Sequence, residues 1–170
     1  MKLLFRLFII AILFASCKSS SPIVTTRSDS EKETTTIVKK EKSTKTVKKL
    51  IKTATSRLGV KYKTGGTTKS GYDCSGFIYS TFQEQDIELP RSSTDMAKVG
   101  KKISIKRAQK GDLIFFKTNG KSVINHVGII VEVSKDEIKF IHSATQSGVI
   151  LSSTKEAYYK RTFAQINRMI

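Results

Sequence analysis

The sequence predicts an α+β fold, in which N-terminal helices pack on an antiparallel β-sheet. Apolar residues at helical spacing dominate the first part of the chain after residue 49, and short segments rich in Val, Ile and Phe dominate the second part. Short turns separate these segments. Helices followed by closely connected strands are typical of α+β domains with an antiparallel sheet.

A helix of about ten residues is predicted to open the domain. The helical spacing of apolar residues ends at Gly59, and glycine commonly follows the last turn of a helix. A glycine-rich loop follows at residues 65–71. The apolar residues that repeat at helical spacing are Leu50, Ile51, Ala54 and Leu58.

The second helix begins after Asp73, whose short carboxylate side chain makes it a good N-cap. A third, short helix is predicted from Ser92 to Val99, because Gly100 ends the pattern. The residues on one face of the second helix are Cys74, Phe77, Ile78, Thr81 and Phe82. Strands are predicted at residues 112–117, 126–133, 138–142, 149–152 and 162–167.

The 170 residues divide into three zones of different composition. Residues 1–17 combine a basic start with about a dozen apolar residues, fewer than the ~20 that a membrane-spanning helix needs, and so predict an export signal. Residues 18–48 are rich in Ser, Thr and Lys and predict a flexible tether. Residues 49–170 form the only candidate globular domain, with a length that suits one compact unit.

The residues before Cys17 resemble a bacterial lipoprotein signal, in which the cysteine is lipidated and becomes the mature N-terminus. The alternative is plain secretion. We expect an exported protein that a lipid on Cys17 anchors to a bacterial membrane, the outer membrane facing the periplasm. Cys74 would then have no partner for an intramolecular disulfide, since the chain has only two cysteines.

The net charge of +17 is distributed over all three zones, with 20 basic and 10 acidic residues in positions 50–170. No nucleic-acid-binding motif accompanies this charge. A basic exported surface suits an anionic polymer or membrane surface. The alternative is a solvated surface that serves only solubility.

The residues with potential for catalysis are Cys74 and the only two histidines, His126 and His142. Cys74 lies at a helix start, where free backbone N–H groups favour a thiolate. The histidines lie on consecutive strands, and a hairpin places neighbouring side chains on one face within about 5 Å. A nucleophile, a base and an orienting group suit nucleophilic catalysis. Two alternatives remain: histidines that satisfy polar groups of the core, and a Cys/His/His zinc site.

The segment from Asp73 to Phe77 resembles the nucleophile motif of the NlpC family of papain-like cell-wall peptidases. The resemblance extends in order over residues 50–170, and within the family it is greatest to Spr-type lipoprotein murein endopeptidases. The other matching segments are Tyr62, residues 66–69, residues 89–92, residues 111–116, residues 126–129, residues 141–144 and residues 147–150.

This resemblance implies a papain-like NlpC fold and a peptidoglycan endopeptidase that hydrolyses bonds of stem peptides or cross-links. It implies Cys74 as nucleophile, His126 as general base and later acid, and His142 as the orienting third member. Tyr62 would help to stabilise the oxyanion. The residues implied to line the substrate groove are Asp73, Ser75 and Arg91. No cofactor or metal is expected, peptidoglycan is the expected partner, and the protein is expected to be a monomer.

Two departures from the family pattern bear on the site. Met96 stands where relatives commonly have Gln, and the hairpin at residues 134–139 is longer, so that it is expected to alter one lip of the site. Two other functions remain alternatives: a non-catalytic wall-binding module, and a thiol enzyme that transfers acyl groups to another acceptor.

Overall fold

The computed structural model describes residues 27–170. Its helices are α1 (Arg27–Thr55), α2 (Cys74–Gln83), α3 (Ser93–Met96) and α4 (Ala157–Thr162), and a 3₁₀ turn spans Ile105–Arg107. Its strands are β1 (Thr67–Thr68), β2 (Gly71–Tyr72), β3 (Lys101–Ile103), β4 (Leu113–Phe116), β5 (His126–Val133), β6 (Ile138–Ala144), β7 (Gly148–Ser153) and β8 (Phe163–Arg168).

Six strands form one sheet in the order β3-β8-β4-β5-β6-β7, and every neighbouring pair is antiparallel. Strands β1 and β2 form a separate two-stranded sheet before α2. The predicted α+β class with an antiparallel sheet is confirmed. The five predicted strands correspond to β4–β8, with ends that differ by two residues or fewer.

The central strand β4 is buried on both faces of the sheet, to which its successive side chains point in turn. Along β4, Leu113 and Phe115 belong to the core cluster shared with α1 and α2, and Ile114 and Phe116 belong to a second cluster that includes Tyr159 of α4. All four β4 side chains are fully buried. This explains why β4 is apolar at every position rather than at alternate ones.

Helix α1 is much longer than predicted and extends through residues 27–48, which we predicted as a flexible tether. The prediction considered only how little apolar surface this segment buries, and Ile37 and Val38 are indeed more than half exposed. However, residues 27–55 contain no Gly or Pro and are rich in Lys and Glu, which have good helix propensity. The helix contacts the rest of the domain from Val47 onward. Val47 packs against Gly111, and Leu50 is fully buried.

The proposed export signal and Cys17 lie outside the described residues. Over residues 27–170, no helix combines the length and the apolar character needed to cross a membrane. The division of the chain into three zones therefore stays a prediction, apart from the helical structure of residues 27–48.

Three smaller elements differ from the sequence-based expectation. Helix α3 is shorter than predicted, since it begins after the Ser92 N-cap and ends at Met96. Strand β3 was not predicted because two of its three residues are exposed lysines, which are common on sheet edges. Helix α4 was not predicted either. Its one buried residue is Tyr159, so its six residues give no apolar period.

The two departures from the family pattern lie in defined places. Met96, the last residue of α3, is fully buried in the core cluster. The turn at residues 134–137 connects the ends of β5 and β6 that lie away from His126, about 20 Å along β5 at the usual rise per residue. The expectation that this hairpin alters a lip of the site is therefore wrong.

Candidate active site

Cys74 is the first residue of α2, and the Asp73 N-cap fixes the start of that helix. The Asp73 carboxylate accepts a hydrogen bond of 2.6 Å from the backbone N–H of Gly76. A side chain at Gly76 is excluded, because its Cβ would lie 2.0 Å from the carbonyl oxygen of Gly66. The glycine loop therefore packs directly on the first turn of α2 and helps to position Cys74.

The Cys74 thiol lies against the beginning of β5. Its Sγ is 3.7 Å from the carbonyl oxygen of Asn125, and the backbone N–H of Val127 also interacts with the sulfur. These two backbone groups flank His126. The structure thus brings a nucleophile from the helix and a histidine from the strand together, although they are 52 positions apart in the sequence.

The environment of Cys74 shifts the pKa of its thiol in two opposing directions. Burial raises the pKa of the thiol, and the Asp73 carboxylate raises it further. Backbone N–H groups of Ser75, Cys74 and Val127 act in the opposite direction without reversing the shift. The backbone N–H groups at the helix start therefore favour the thiolate, as predicted, but burial and the Asp73 carboxylate outweigh them and the pKa of the thiol is raised overall. A thiol with a raised pKa is activated as a nucleophile by a neighbouring base.

His126 and His142 form a direct pair on one face of the sheet. His126 Nε2 lies 2.9 Å from His142 Nδ1, with ring centroids 4.9 Å apart and planes nearly perpendicular at 83°. The pair fits closely because Gly128 lies beside it. A Cβ on Gly128 would be 2.8 Å from the Phe140 ring and 3.3 Å from His142 Cβ.

Both imidazoles are neutral near pH 7. Burial lowers the pKa of His126 to about 4, and burial together with the nearby His126 lowers the pKa of His142 to about 3. A neutral imidazole offers one acceptor nitrogen and one N–H donor. His126 can therefore accept a proton at Nδ1 while Nε2 contacts His142.

These low pKa values predict a pH-dependent stability. Below about pH 6.5, histidines of the unfolded chain bind protons that the folded protein excludes, so stability falls as pH falls toward the folded values of about 4 and about 3. We expect the melting temperature to decrease between pH 6.5 and 4.5, and to decrease less in His142→Gln. Equal slopes for the two proteins in thermal unfolding would contradict the assignment of His142 as a buried neutral histidine.

Tyr62 lies beside the nucleophile. It forms an isolated bridge with Tyr72, and its hydroxyl makes a hydrogen bond with Thr145. Burial raises the pKa of Tyr62, and the nearby Cys74 and Asp73 raise it further. Tyr62 is therefore a neutral hydroxyl donor close to Cys74, as stabilisation of a developing oxyanion requires.

Asp73, Ser75 and Arg91 form one hydrogen-bonded cluster next to Cys74. The Arg91 guanidinium donates to both carboxylate oxygens of Asp73, at 3.1 and 2.6 Å, and to Ser75 Oγ at 2.8 Å. Burial alone would raise the pKa of Asp73, but Arg91 and the Gly76 N–H outweigh it and lower the pKa. Arg91 remains partly exposed, with 39% of its side chain accessible.

Comparison with known proteins identifies the domain. Residues 59–168, about two thirds of the chain, match the NlpC/P60 family. The chain belongs to the NlpC/P60 family. The murein DD-endopeptidase MepS/murein LD-carboxypeptidase of Escherichia coli (strain K12) is 42% identical over 113 residues, which are 66% of this chain and 57% of that protein. The predicted resemblance is confirmed.

Other members of the NlpC/P60 family share the fold. The gamma-D-glutamyl-L-lysine dipeptidyl-peptidase of Bacillus subtilis (strain 168) is 34% identical over 125 residues, 72% of this chain and 41% of that protein. A crystal structure of an NlpC/P60 family protein from Bacillus cereus ATCC 10987 is 31% identical, with a TM-score of 0.65 over 72% of this chain and 39% of that one. This chain spans about half the length of the two curated relatives.

The NlpC/P60 domain also contains site residues that the sequence analysis missed. His142 is fully buried, and its Nε2 lies 3.1 Å from both Ser152 Oγ and Tyr159 Oη. Ser152 lies opposite Phe140 in the β6–β7 register. The pairing of these two strands was the one signal that could have placed Ser152 near His142. No local sequence pattern marks Tyr159 as a site residue.

A cavity of about 520 Å³ opens beside His126, on the side of the histidine pair. Its lining is mostly polar and includes hydroxyl and amide groups but no charged side chain. The residues that line it are Thr118, His126, Ala144, Thr145, Gln146, Ser147, Ile150, Tyr158 and Tyr159. Of the three reactive residues, His126 lines this cavity.

Proposed function

We propose that this protein is a cysteine endopeptidase that hydrolyses peptide bonds in the stem peptides or cross-links of peptidoglycan. The observation that carries the proposal is the arrangement of Cys74 against the start of β5, with His126 paired to His142 at 2.9 Å. This arrangement supplies a nucleophile, a base and an orienting group, which acyl transfer requires.

The first half-reaction forms a thioester. His126 takes the Cys74 proton at Nδ1 as Sγ attacks the substrate carbonyl carbon, because the pKa of the partly buried thiol is raised. The C=O π electrons move to the carbonyl oxygen, where Tyr62 and backbone N–H groups at the start of α2 stabilise the negative charge. The C–N bond then breaks, and His126 gives its proton to the leaving amine.

The second half-reaction regenerates the enzyme. His126 takes a proton from a water molecule, whose oxygen attacks the thioester carbon. The C–S bond breaks, the peptide leaves as a carboxylic acid, and the thiol recovers its proton from His126. Because His126 is neutral near pH 7, it can act as the base in each half-reaction.

Three observations support a peptidoglycan substrate. Two relatives are named as enzymes of murein or of gamma-D-glutamyl-L-lysine peptides. Stem peptides carry carboxylates, and positions 50–170 have 20 basic residues against 10 acidic ones. Exposed Lys61 and Lys63 flank Tyr62 at the site.

Digestion of purified sacculi, with the released muropeptides identified by mass spectrometry, tests the proposal. New stem-peptide ends are expected, and their masses identify the bond that is cleaved. Unchanged sacculi would indicate a binding module, and modified termini without hydrolysis would indicate acyl transfer to another acceptor. Either of these two results would overturn the proposed hydrolysis.

Activity is expected to survive chelation of metals. His126 and His142 each direct one ring nitrogen at the other ring, and His142 Nε2 contacts two hydroxyl groups. Cys74, His126 and His142 therefore do not converge on one metal position. We expect an unchanged rate of muropeptide hydrolysis in EDTA and complete inactivation by iodoacetamide. Loss of activity in EDTA that zinc restores would assign the site to a metal instead.

We further propose that a lipid on Cys17 anchors the protein to the outer membrane, facing the periplasm, and that the protein is a monomer. Residues 27–47 of α1 precede the contact with the domain and correspond to about 30 Å of helix. The anchored enzyme then reaches an immobile substrate through this spacer. Metabolic labelling with a palmitate analogue is expected to mark the wild type and not Cys17→Ser. Labelling of both proteins would exclude Cys17 as the anchor.

A further inference from the structure

Two hydroxyl groups from different elements meet at the outer nitrogen of His142. Ser152 comes from β7 and Tyr159 from α4, and both oxygens lie 3.1 Å from His142 Nε2. All three residues are buried, with 6% of Ser152, 8% of Tyr159 and none of His142 accessible. The His142 ring therefore has hydrogen-bond partners at both nitrogens.

The position of the Tyr159 hydroxyl is fixed by aromatic packing. The Tyr159 ring contacts Phe116 and Phe140 edge to face, with centroids 5.2 and 5.0 Å apart. Phe140 also packs against His142, with centroids 5.3 Å apart. The phenol oxygen and the imidazole are thus held by the same apolar cluster.

The proposed reaction requires one particular tautomer of His142. His126 must keep Nδ1 free to accept the Cys74 proton, so its own hydrogen lies on Nε2 and is donated to His142 Nδ1. A neutral His142 that accepts at Nδ1 carries its hydrogen on Nε2. That hydrogen needs an acceptor, and the two hydroxyl oxygens are the atoms within reach.

We propose that Ser152 and Tyr159 are positioning residues that hold His142 in the Nε2–H tautomer by accepting its hydrogen bond. This inference rests on the proposed function, because it gives the two hydroxyls a role in the same reaction. When His126 becomes doubly protonated, His142 Nδ1 remains an acceptor for it. In the opposite tautomer, an N–H of His142 would face the N–H of that imidazolium.

Two conservative substitutions distinguish the effect of the hydroxyl groups on the His142 tautomer from their effect on packing. Replacement of Tyr159 by Phe keeps the ring and its contacts, and Ser152→Ala removes a single oxygen. Without both hydroxyls, His142 Nε2 has no hydrogen-bond partner in either tautomer, so the preference for Nε2–H is lost. The double variant should therefore change the tautomer equilibrium more than either single variant.

Nitrogen-15 NMR of the full-length protein with labelled histidine tests this directly, because protonated and bare imidazole nitrogens have well-separated chemical shifts. In the wild type, we expect protonated Nε2 and bare Nδ1 on His142. In Ser152→Ala/Tyr159→Phe, we expect a mixture or the opposite tautomer. A wild-type His142 protonated on Nδ1 would overturn the proposal, whatever the activity of the protein.

The kinetic measurement uses soluble muropeptides. The double variant is expected to lose roughly 10- to 100-fold in kcat with little change in KM, which is less than the loss of a whole general base. Ser152→Thr, which keeps a hydroxyl, should restore activity in the Tyr159→Phe background relative to Ser152→Ala. Ser153→Ala, on the opposite face of β7 with Glu137 as its partner, is the matched control and should retain kcat.

The outcomes distinguish this inference from the proposed function. A wild-type protein that leaves muropeptides intact but shows the Nε2–H tautomer contradicts the peptidase function and supports the positioning role. A double variant with wild-type kcat and wild-type tautomer overturns the positioning role alone. If the double variant does not fold, the two single variants decide. An unchanged His142 tautomer and an unchanged kcat in both Tyr159→Phe and Ser152→Ala would contradict the proposal.

Discussion

Replacement of Cys74 by serine is expected to reduce hydrolysis of muropeptides by at least about 1000-fold while the protein remains folded, since loss of a nucleophile removes the whole catalytic unit. The serine hydroxyl occupies almost the same volume but is far less acidic than a thiol. Burial already raises the pKa of the Cys74 thiol, so the same environment would leave a hydroxyl even harder to deprotonate.

The matched control is Cys17→Ser, which removes the only other cysteine of the chain. On soluble muropeptides it should match the wild type, because the substrate diffuses and no anchor is needed. Thermal unfolding of both variants checks the fold. Near-wild-type turnover by Cys74→Ser would refute the thiol mechanism, and equal losses in the two variants would indicate a general effect of cysteine replacement.

The two histidines are expected to differ in importance. His126→Ala should approach the loss seen for Cys74→Ser, because His126 moves the proton in both half-reactions. His142→Gln should keep measurable activity, since the glutamine oxygen can accept from His126 Nε2–H and its NH₂ group can donate to Ser152 or Tyr159. His142→Ala should lose considerably more than His142→Gln, because it leaves His126 without a partner at Nε2.

Values of kcat and KM for the three variants give the order of these effects. The losses should appear in kcat, as the imidazole pair acts on the proton and not on substrate affinity. If His126→Ala were milder than His142→Ala, the base and its orienting partner would be exchanged. Circular dichroism is a necessary check for His142→Ala, which opens a cavity at a fully buried position.

The local features of the site were accessible from the sequence. Asp73 before an apolar helical face predicts an N-cap, and the structure has this cap with α2 beginning at Cys74. The Val- and Ile-rich segment from residue 126 to 133 predicts a strand, and β5 has these ends. Such signals depend on residues only a few positions apart, which is why they can be interpreted without the fold.

The sequence was misleading where local propensity and burial disagree. Residues 27–48 bury little apolar surface, which predicted a tether, yet the absence of Gly and Pro allows a continuous helix. In the other direction, α4 has a short polar sequence around Tyr159 and is a helix because that one ring fills the second core cluster. Tertiary contacts outweigh weak local preferences in such segments.

By itself, the sequence determined the α+β class, the position of Cys74 at a helix start and the placement of the two histidines on neighbouring strands. Only the tertiary structure decided that the Cys74 thiol is partly buried with a raised pKa, that both histidines are neutral, and that Ser152 and Tyr159 contact His142. The physical reason is that protonation depends on desolvation and on charges nearby in space. These are set by strand register and helix packing between residues far apart in the chain.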